Sequence, residues 1–229
     1  MKKLLTFLIL LLLIMSETSQ AQDWANLNRY KEENSKLVLP KSNEHWVIFM
    51  GNSITEGWSQ QLPEFFDGKQ YINRGIGGQT TPQMLIRFRQ DVVDLKPTIV
   101  VILAGTNDIA ENTGPSTLQM IADNIFSMAE IARANNIKVI ISSVIPAFDY
   151  PWRTGLKPNK KIPALNKLLK EYCDKNEIIY LDYFTAMKND KNGLKEEYGS
   201  DGVHPNKKGY QIMAPLAEEA IKRALKKDK

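Results

Sequence analysis

Five short runs of apolar, largely β-branched residues, separated by stretches of helical periodicity, constrain this 229-residue chain more than any other feature. The runs are Trp46–Met50, Tyr71–Asn73, Thr98–Leu103, Lys138–Val144 and Ile178–Leu181, the second being the weakest. Near-continuous apolarity in such short pieces predicts strands covered on both faces. Leu118, Ile121, Ile125, Met128, Ala129 and Ala132 recur at helical spacing behind the turn residues Gly114-Pro115-Ser116, read here as the helix start. Tyr210, Met213, Leu216, Ala217, Ala220, Ile221 and Ala224 repeat the pattern near the end. Alternating strands and helices predict an α/β fold: a parallel sheet between helices, right-handed crossovers and ligands at the carboxyl edge.

The first 21 residues stand apart. Lys2 and Lys3 precede an apolar run, Leu4–Met15, broken only by Thr6 and too short to span a bilayer comfortably. A polar stretch then ends in Ser19-Gln20-Ala21, so residues 1–21 read as a signal peptide cleaved after Ala21, with export to the periplasm or the medium. An uncleaved membrane anchor is the alternative. Residues 22–39 form a polar arm that either folds onto the domain or hangs free, and residues 40–229 form one domain, without repeats or a Gly/Ser linker.

Loss of Lys2, Lys3 and Glu17 with the leader lowers the net charge from +4 to +3. Much of that excess sits in Lys222, Arg223, Lys226, Lys227 and Lys229, at a helix end where cations suit the dipole, so it is read as a solvated helix end and not a nucleic-acid surface. With 43% hydrophobic and 24% charged residues, disordered, collagen-like and coiled-coil chains are excluded. Cys173, the single cysteine, permits no internal disulfide and is expected as a buried thiol on the apolar side of a helix. It lies too far downstream to carry a lipid at a mature N-terminus.

Three loops leave the same sheet edge. Ser53 follows the first strand directly, placed either to react or to cap the next helix. Of the two histidines, His45 begins that strand, on the order of 20 Å from Ser53 at about 3.3 Å per residue, and is read as structural. His204 lies in Ser200-Asp201-Gly202-Val203-His204-Pro205, where Pro205 suits the first turn of the last helix. Asp201 can fold back onto the imidazole, fixing its tautomer and stabilising the imidazolium that forms when a serine is deprotonated. With no third histidine and no HExxH spacing, a metal site is not expected.

The second strand runs into Asn73-Arg74-Gly75-Ile76-Gly77-Gly78-Gln79-Thr80, an anion cradle or a set of glycines serving helix packing. It has neither GxGxxG nor GK[ST] spacing, which weighs against a nucleotide. The third strand ends in Gly105-Thr106-Asn107-Asp108, where Asn107 is an oxyanion donor or a turn former. One strand–helix unit separates each group from the next, so all converge on one crevice.

The blocks GNSIT, NRGIGGQTT, GTND and DGVHPN, in this order and spacing, closely resemble those of the SGNH hydrolases, also called the GDSL esterase and lipase family. The resemblance extends over residues 45–225. It implies a three-layer α/β/α fold with a five-stranded parallel sheet of flavodoxin-like order, in agreement with the five runs. It also implies a serine esterase without cofactor, with Ser53 as nucleophile, His204 and Asp201 as its relay, and Gly78, Asn107 and the Ser53 N–H as the oxyanion hole. Asn52 and Gln79 stand where related members commonly have aspartate, which bears on the site's electrostatics. The single glycine of the first block departs from the G-x-S-x-G elbow of α/β-hydrolases.

Substrate choice is expected from the loop Ile145–Ile162, in which Tyr150, Trp152 and Arg153 either contact a sugar or short acyl group or plug the fourth strand. Trp58 and Phe65 carry the same ambiguity. Export and the family resemblance favour a small polar ester, an acetyl group on a glycan, as substrate. The alternatives are a longer-chain lysophospholipase, thioesterase or arylesterase, or more remotely a non-catalytic glycan-binding module. The physiological ester and the oligomeric state are not legible in the sequence.

Overall fold

The computed structural model describes residues 23–41 and 43–226, so the expected leader and its cleavage point lie outside the described residues. Five parallel strands, β1 (Val47–Gly51), β2 (Tyr71–Gly75), β3 (Ile99–Leu103), β4 (Lys138–Ser142) and β5 (Ile179–Leu181), form one sheet in the order β2-β1-β3-β4-β5. Each falls on a predicted run. The strand order reverses direction at β1, so the crevice beyond the carboxyl ends of β1 and β3 is the topological switch point, where ligands bind in such sheets.

β1 and β3 are buried along their whole length. Successive strand side chains point to opposite faces, and the apolar residues divide accordingly. Ile48, Met50, Val100 and Ile102 face one layer, and Val47, Phe49, Val101 and Leu103 the other. The first layer receives the apolar stripes of α3 (Thr81–Asp91), α5 (Leu118–Ala134) and α6 (Pro158–Lys175). The second receives α2 (Ser53–Gln61), α7 (Tyr183–Met187) and α8 (Lys207–Lys226). A short helix α1 (Lys31–Lys36) lies in the arm, and α4 (Thr106–Ile109) follows β3.

The arm folds onto the domain, with Ala25 and Tyr30 buried. Trp58 and Phe65 belong to the core, stacked at 4.5 Å between ring centroids. Cys173 is buried in α6, and burial pushes its thiol up to about 12. His45 is exposed just before β1. Among the described residues, no helix is long and apolar enough to cross a membrane.

Several boundaries differ from the sequence reading. β2, an edge strand, runs past Asn73 to Gly75 through Arg74, whose guanidinium is buried against Asn34 and Glu33. The hydrophobic pattern carries no trace of that burial. β4 stops at Ser142, because the Asn166 side chain takes both the N–H and the C=O of Val144. The loop expected to reach Ile162 is cut short by α6, which starts at Pro158. α5 begins behind Thr117, whose hydroxyl accepts the Met120 N–H. Pro205 precedes α8 without entering its first turn, since Asn206 Oδ1 takes the Gly209 N–H and so occupies the capping place.

Candidate active site

β1 delivers Ser53 to the switch point, and the residue before it settles how. Asn52 is the N-cap of α2, its Oδ1 accepting the Ile54 N–H at 3.0 Å, so Ser53 is the first helical residue and not the cap. A residue there has no intrahelical acceptor for its N–H, which leaves the Ser53 N–H free to face a ligand. Capping needs only one acceptor oxygen, and an amide supplies it as well as a carboxylate. The Asn52 Nδ2, fully buried, has no hydrogen-bond partner among the described residues.

From 151 positions away, His204 meets this hydroxyl, with Nε2 2.9 Å from Ser53 Oγ. Its Nδ1 lies 2.6 Å from Asp201 Oδ2, while Asp201 Oδ1 accepts the Val203 and His204 N–H groups at 2.9 and 2.7 Å. A carboxylate accepting at Nδ1 selects the tautomer with its proton there and a lone pair on Nε2 facing the serine. Partial burial pushes the Asp201 carboxyl up, but the bonds from the His204 ring and the two backbone amides outweigh it and hold the group below its ordinary value.

Beyond β2, the glycine loop packs at one end and turns at the other. Gly75 packs: a Cβ there would lie 2.1 Å from the Glu56 nitrogen, so the loop rests directly on the α2 backbone. Gly78 turns, with φ +75°, in the left-handed region that favours glycine. Gly77 and Gly78 are solvent-exposed. The Gly77 N–H donates to Glu56 Oε2 at 2.9 Å, and the Gly78 carbonyl accepts from Asn112 Nδ2 at 3.1 Å.

Asn107 lies in α4 and is buried. One hydrogen of its amide goes to the Gln79 carbonyl at 3.0 Å, which fixes the side chain and leaves a second hydrogen to donate. Beside it, Asp108 accepts the Thr81 N–H and, at 2.6 Å, the Thr81 hydroxyl. Burial raises the Asp108 carboxyl above its ordinary value despite these bonds from Thr81. The contact joins the start of α3 to α4, and thereby the glycine loop to Asn107.

The three loop residues expected to meet substrate have different surroundings. Trp152 is 46% exposed, with its ring centroid 5.9 Å from that of His204. Tyr150, by contrast, is fully buried, stacked against Trp152 at 5.3 Å with its hydroxyl on Thr106 Oγ1, and so offers a substrate no surface. Arg153 is held by Glu111, through its carbonyl at 2.9 Å and its carboxylate at 2.8 Å. Sequence reasoning overlooked Glu56 and the Asp108–Thr81 bond. The first was accessible in principle, since Ser53 and Glu56 are three apart and share a helix face.

Residues 49–212 match the GDSL-like Lipase/Acylhydrolase family. The chain belongs to that family. Its fold is shared by a GDSL-like lipase from Bacteroides thetaiotaomicron, 48% identical, with a TM-score of 0.86 over 87% of this chain and 98% of the other. A platelet-activating factor acetylhydrolase IB subunit alpha2 from Rattus norvegicus is 30% identical over 209 residues, 86% of each chain. An acetylxylan esterase from Xylanibacter ruminicola is 26% identical over 223 residues. The chain spans about half the length of that esterase, and likewise of an uncharacterized lipoprotein, YqeF, of Bacillus subtilis. Membership in this acylhydrolase family makes the protein a carboxylic ester hydrolase.

Proposed function

We propose that this GDSL-family hydrolase is an exported serine esterase that removes small acyl groups, above all acetyl, from carbohydrate hydroxyls. The observation that carries the chemistry is the 2.9 Å approach of His204 Nε2 to Ser53 Oγ, with Asp201 behind the ring. In the first half-reaction, Ser53 Oγ attacks the ester carbonyl as its proton passes to Nε2. The Ser53 and Gly78 N–H groups and the Asn107 amide hold the tetrahedral oxyanion. Asp201 stabilises the imidazolium, which then protonates the departing sugar oxygen as its bond to the acyl carbon breaks, so that the sugar leaves with a free hydroxyl. In the second, His204 takes a proton from water as the water oxygen attacks the acyl-serine, and Ser53 is regenerated with release of the acid.

Trp152 supports a sugar as the leaving group: an exposed aromatic face beside the catalytic imidazole is a platform for a pyranose ring, held rigid by Tyr150 beneath it. The names of two relatives, an acetylxylan esterase and an acetylhydrolase, support acetyl as the acyl group. Export rests on the Lys2–Lys3 start, the Leu4–Met15 run and the Ser19-Gln20-Ala21 ending. Hydrolysis of p-nitrophenyl esters of increasing chain length, together with acetate release from acetylated xylo-oligosaccharides, tests the reading. Fastest turnover of the acetyl ester, with acetate released from the saccharide, is expected; a preference for chains of about eight or more carbons would overturn it.

A further inference from the structure

The loop Gly75–Gln79 is gripped at every second residue, and each grip leads to the N-terminal arm. The Tyr30 hydroxyl donates to the Gly75 carbonyl. Glu56 holds the Gly77 N–H with one carboxylate oxygen, and Arg29 reaches the other at 3.5 Å. The Gln79 amide donates to the Ala25 carbonyl at 2.7 Å while its oxygen accepts from Arg87 Nε. Arg87 is itself fully buried and binds the carbonyls of Gly51 and Arg74 at 2.9 Å each and the Asp91 carboxylate. The arm is thus joined to the backbone on both sides of Gly78, through the buried side chains of Tyr30 and Gln79 and the half-exposed Arg29–Glu56 pair.

A loop containing three glycines has little stiffness of its own. An oxyanion donor, however, is effective only when its position is fixed to within about 0.5 Å before the charge develops. We infer that Ala25 and Tyr30 act as a brace that sets the Gly78 N–H, and that Gln79 is the positioning residue through which the same brace reaches Asn107. Gln79 does this because its carbonyl holds the Asn107 amide while its side chain holds the arm. A carboxylate in its place would still accept from Arg87 but would have no N–H for the Ala25 carbonyl. Catalysis then depends on a segment that contributes no reacting atom. The inference rests on the oxyanion-hole reading proposed above.

The test uses the full chain carrying Gln79→Met, Tyr30→Phe or Arg29→Ala, with Ser53→Ala and Cys173→Ala as references. For each, kcat and KM on p-nitrophenyl acetate, affinity for a phenylboronic acid that loads the oxyanion site, and Tm are measured. Gln79→Met is expected to lower kcat and kcat/KM together by about 10- to 100-fold, the scale of a 1 Å misplacement, and to weaken the boronate in parallel. Tyr30→Phe is expected to cost about three- to tenfold by the same mechanism. The Arg29–Glu56 contact is half-exposed and long, so Arg29→Ala should change kcat by less than about twofold. Cys173→Ala, at a buried position on α6, should lower Tm and leave kcat unchanged, which separates positioning from general stability. Turnover surviving in Ser53→Ala would overturn the underlying reading, whatever the arm variants do. If Ser53→Ala is inactive while Gln79→Met and Tyr30→Phe keep wild-type kcat and boronate affinity, the brace is overturned; should Gln79→Met fail to fold, Tyr30→Phe decides alone.

Discussion

In the proposed mechanism residues 200–206 and residues 75–79 both serve Ser53, yet opposite kinds of contact hold them in place. The first loop organises itself. Apart from its contact with Ser53 itself, His204 is oriented by Asp201, three positions earlier, and both side chains stay more than a third exposed. The second loop borrows its shape, with Gly75 held from 45 positions away, Gly77 from 21 and Gln79 from 54, largely through buried side chains. The contrast follows function. In the proposed mechanism the imidazole changes charge in each cycle and benefits from solvent nearby, whereas amides that receive a developing charge must already be aligned when it appears.

Substitutions on the two sides sharpen this contrast. Ser53→Ala and His204→Ala remove the proposed nucleophile and its proposed base, and turnover of p-nitrophenyl acetate should fall to background. Asp201→Asn leaves the ring in place but favours the wrong tautomer, and a loss of kcat of about 10⁴-fold is expected. Asn107→Ala deletes one proposed oxyanion donor and should cost about 10²- to 10³-fold in kcat with little change in KM. A smaller loss there than in Gln79→Met would break the comparison, because the support would then matter more than the donor. Trp152→Ala should raise KM for an acetylated saccharide by about three- to tenfold, while kcat on p-nitrophenyl acetate stays within about twofold.

The smallest effect lies in the pH dependence of stability. Asp201 has a lowered carboxyl in the folded protein, so its contribution is present above the unfolded value and lost as pH falls through the folded one. Asp108 has a raised carboxyl, so its contribution is present below the unfolded value and lost as pH rises through the folded one. In urea titrations, the stability deficit of Asp201→Asn should therefore shrink toward acid pH and that of Asp108→Asn should grow. Parallel trends would show that the exposed Asp201 and the buried Asp108 are not held in the opposite ways described.

This difference also governs what the sequence reveals. The Asp201–His204 turn and the Ser53 position are local, spanning a few residues at a strand end, and their placement is readable without coordinates. The five strands are legible for the same reason, since Val- and Ile-rich runs such as Thr98–Leu103 carry their own signal. The brace is not legible, because nothing around Tyr30 or Ala25 indicates that they meet the glycine loop. Arg74 and Arg87 are equally opaque: arginine is by default a surface residue, and only the fold places both in the interior. Tyr150 and Trp152 stand two apart in one loop, and only packing separates the buried support from the exposed face.

The most direct measurement is reaction with a fluorophosphonate followed by peptide mapping, because this reagent requires an activated serine and mimics the tetrahedral adduct. A single phosphonylated residue, Ser53, is predicted, with labelling lost in His204→Ala and slowed in Asn107→Ala. Modification at another residue, or no modification of a folded protein that hydrolyses p-nitrophenyl acetate, would contradict the assignment of Ser53, His204 and Asp201 as the reacting centre.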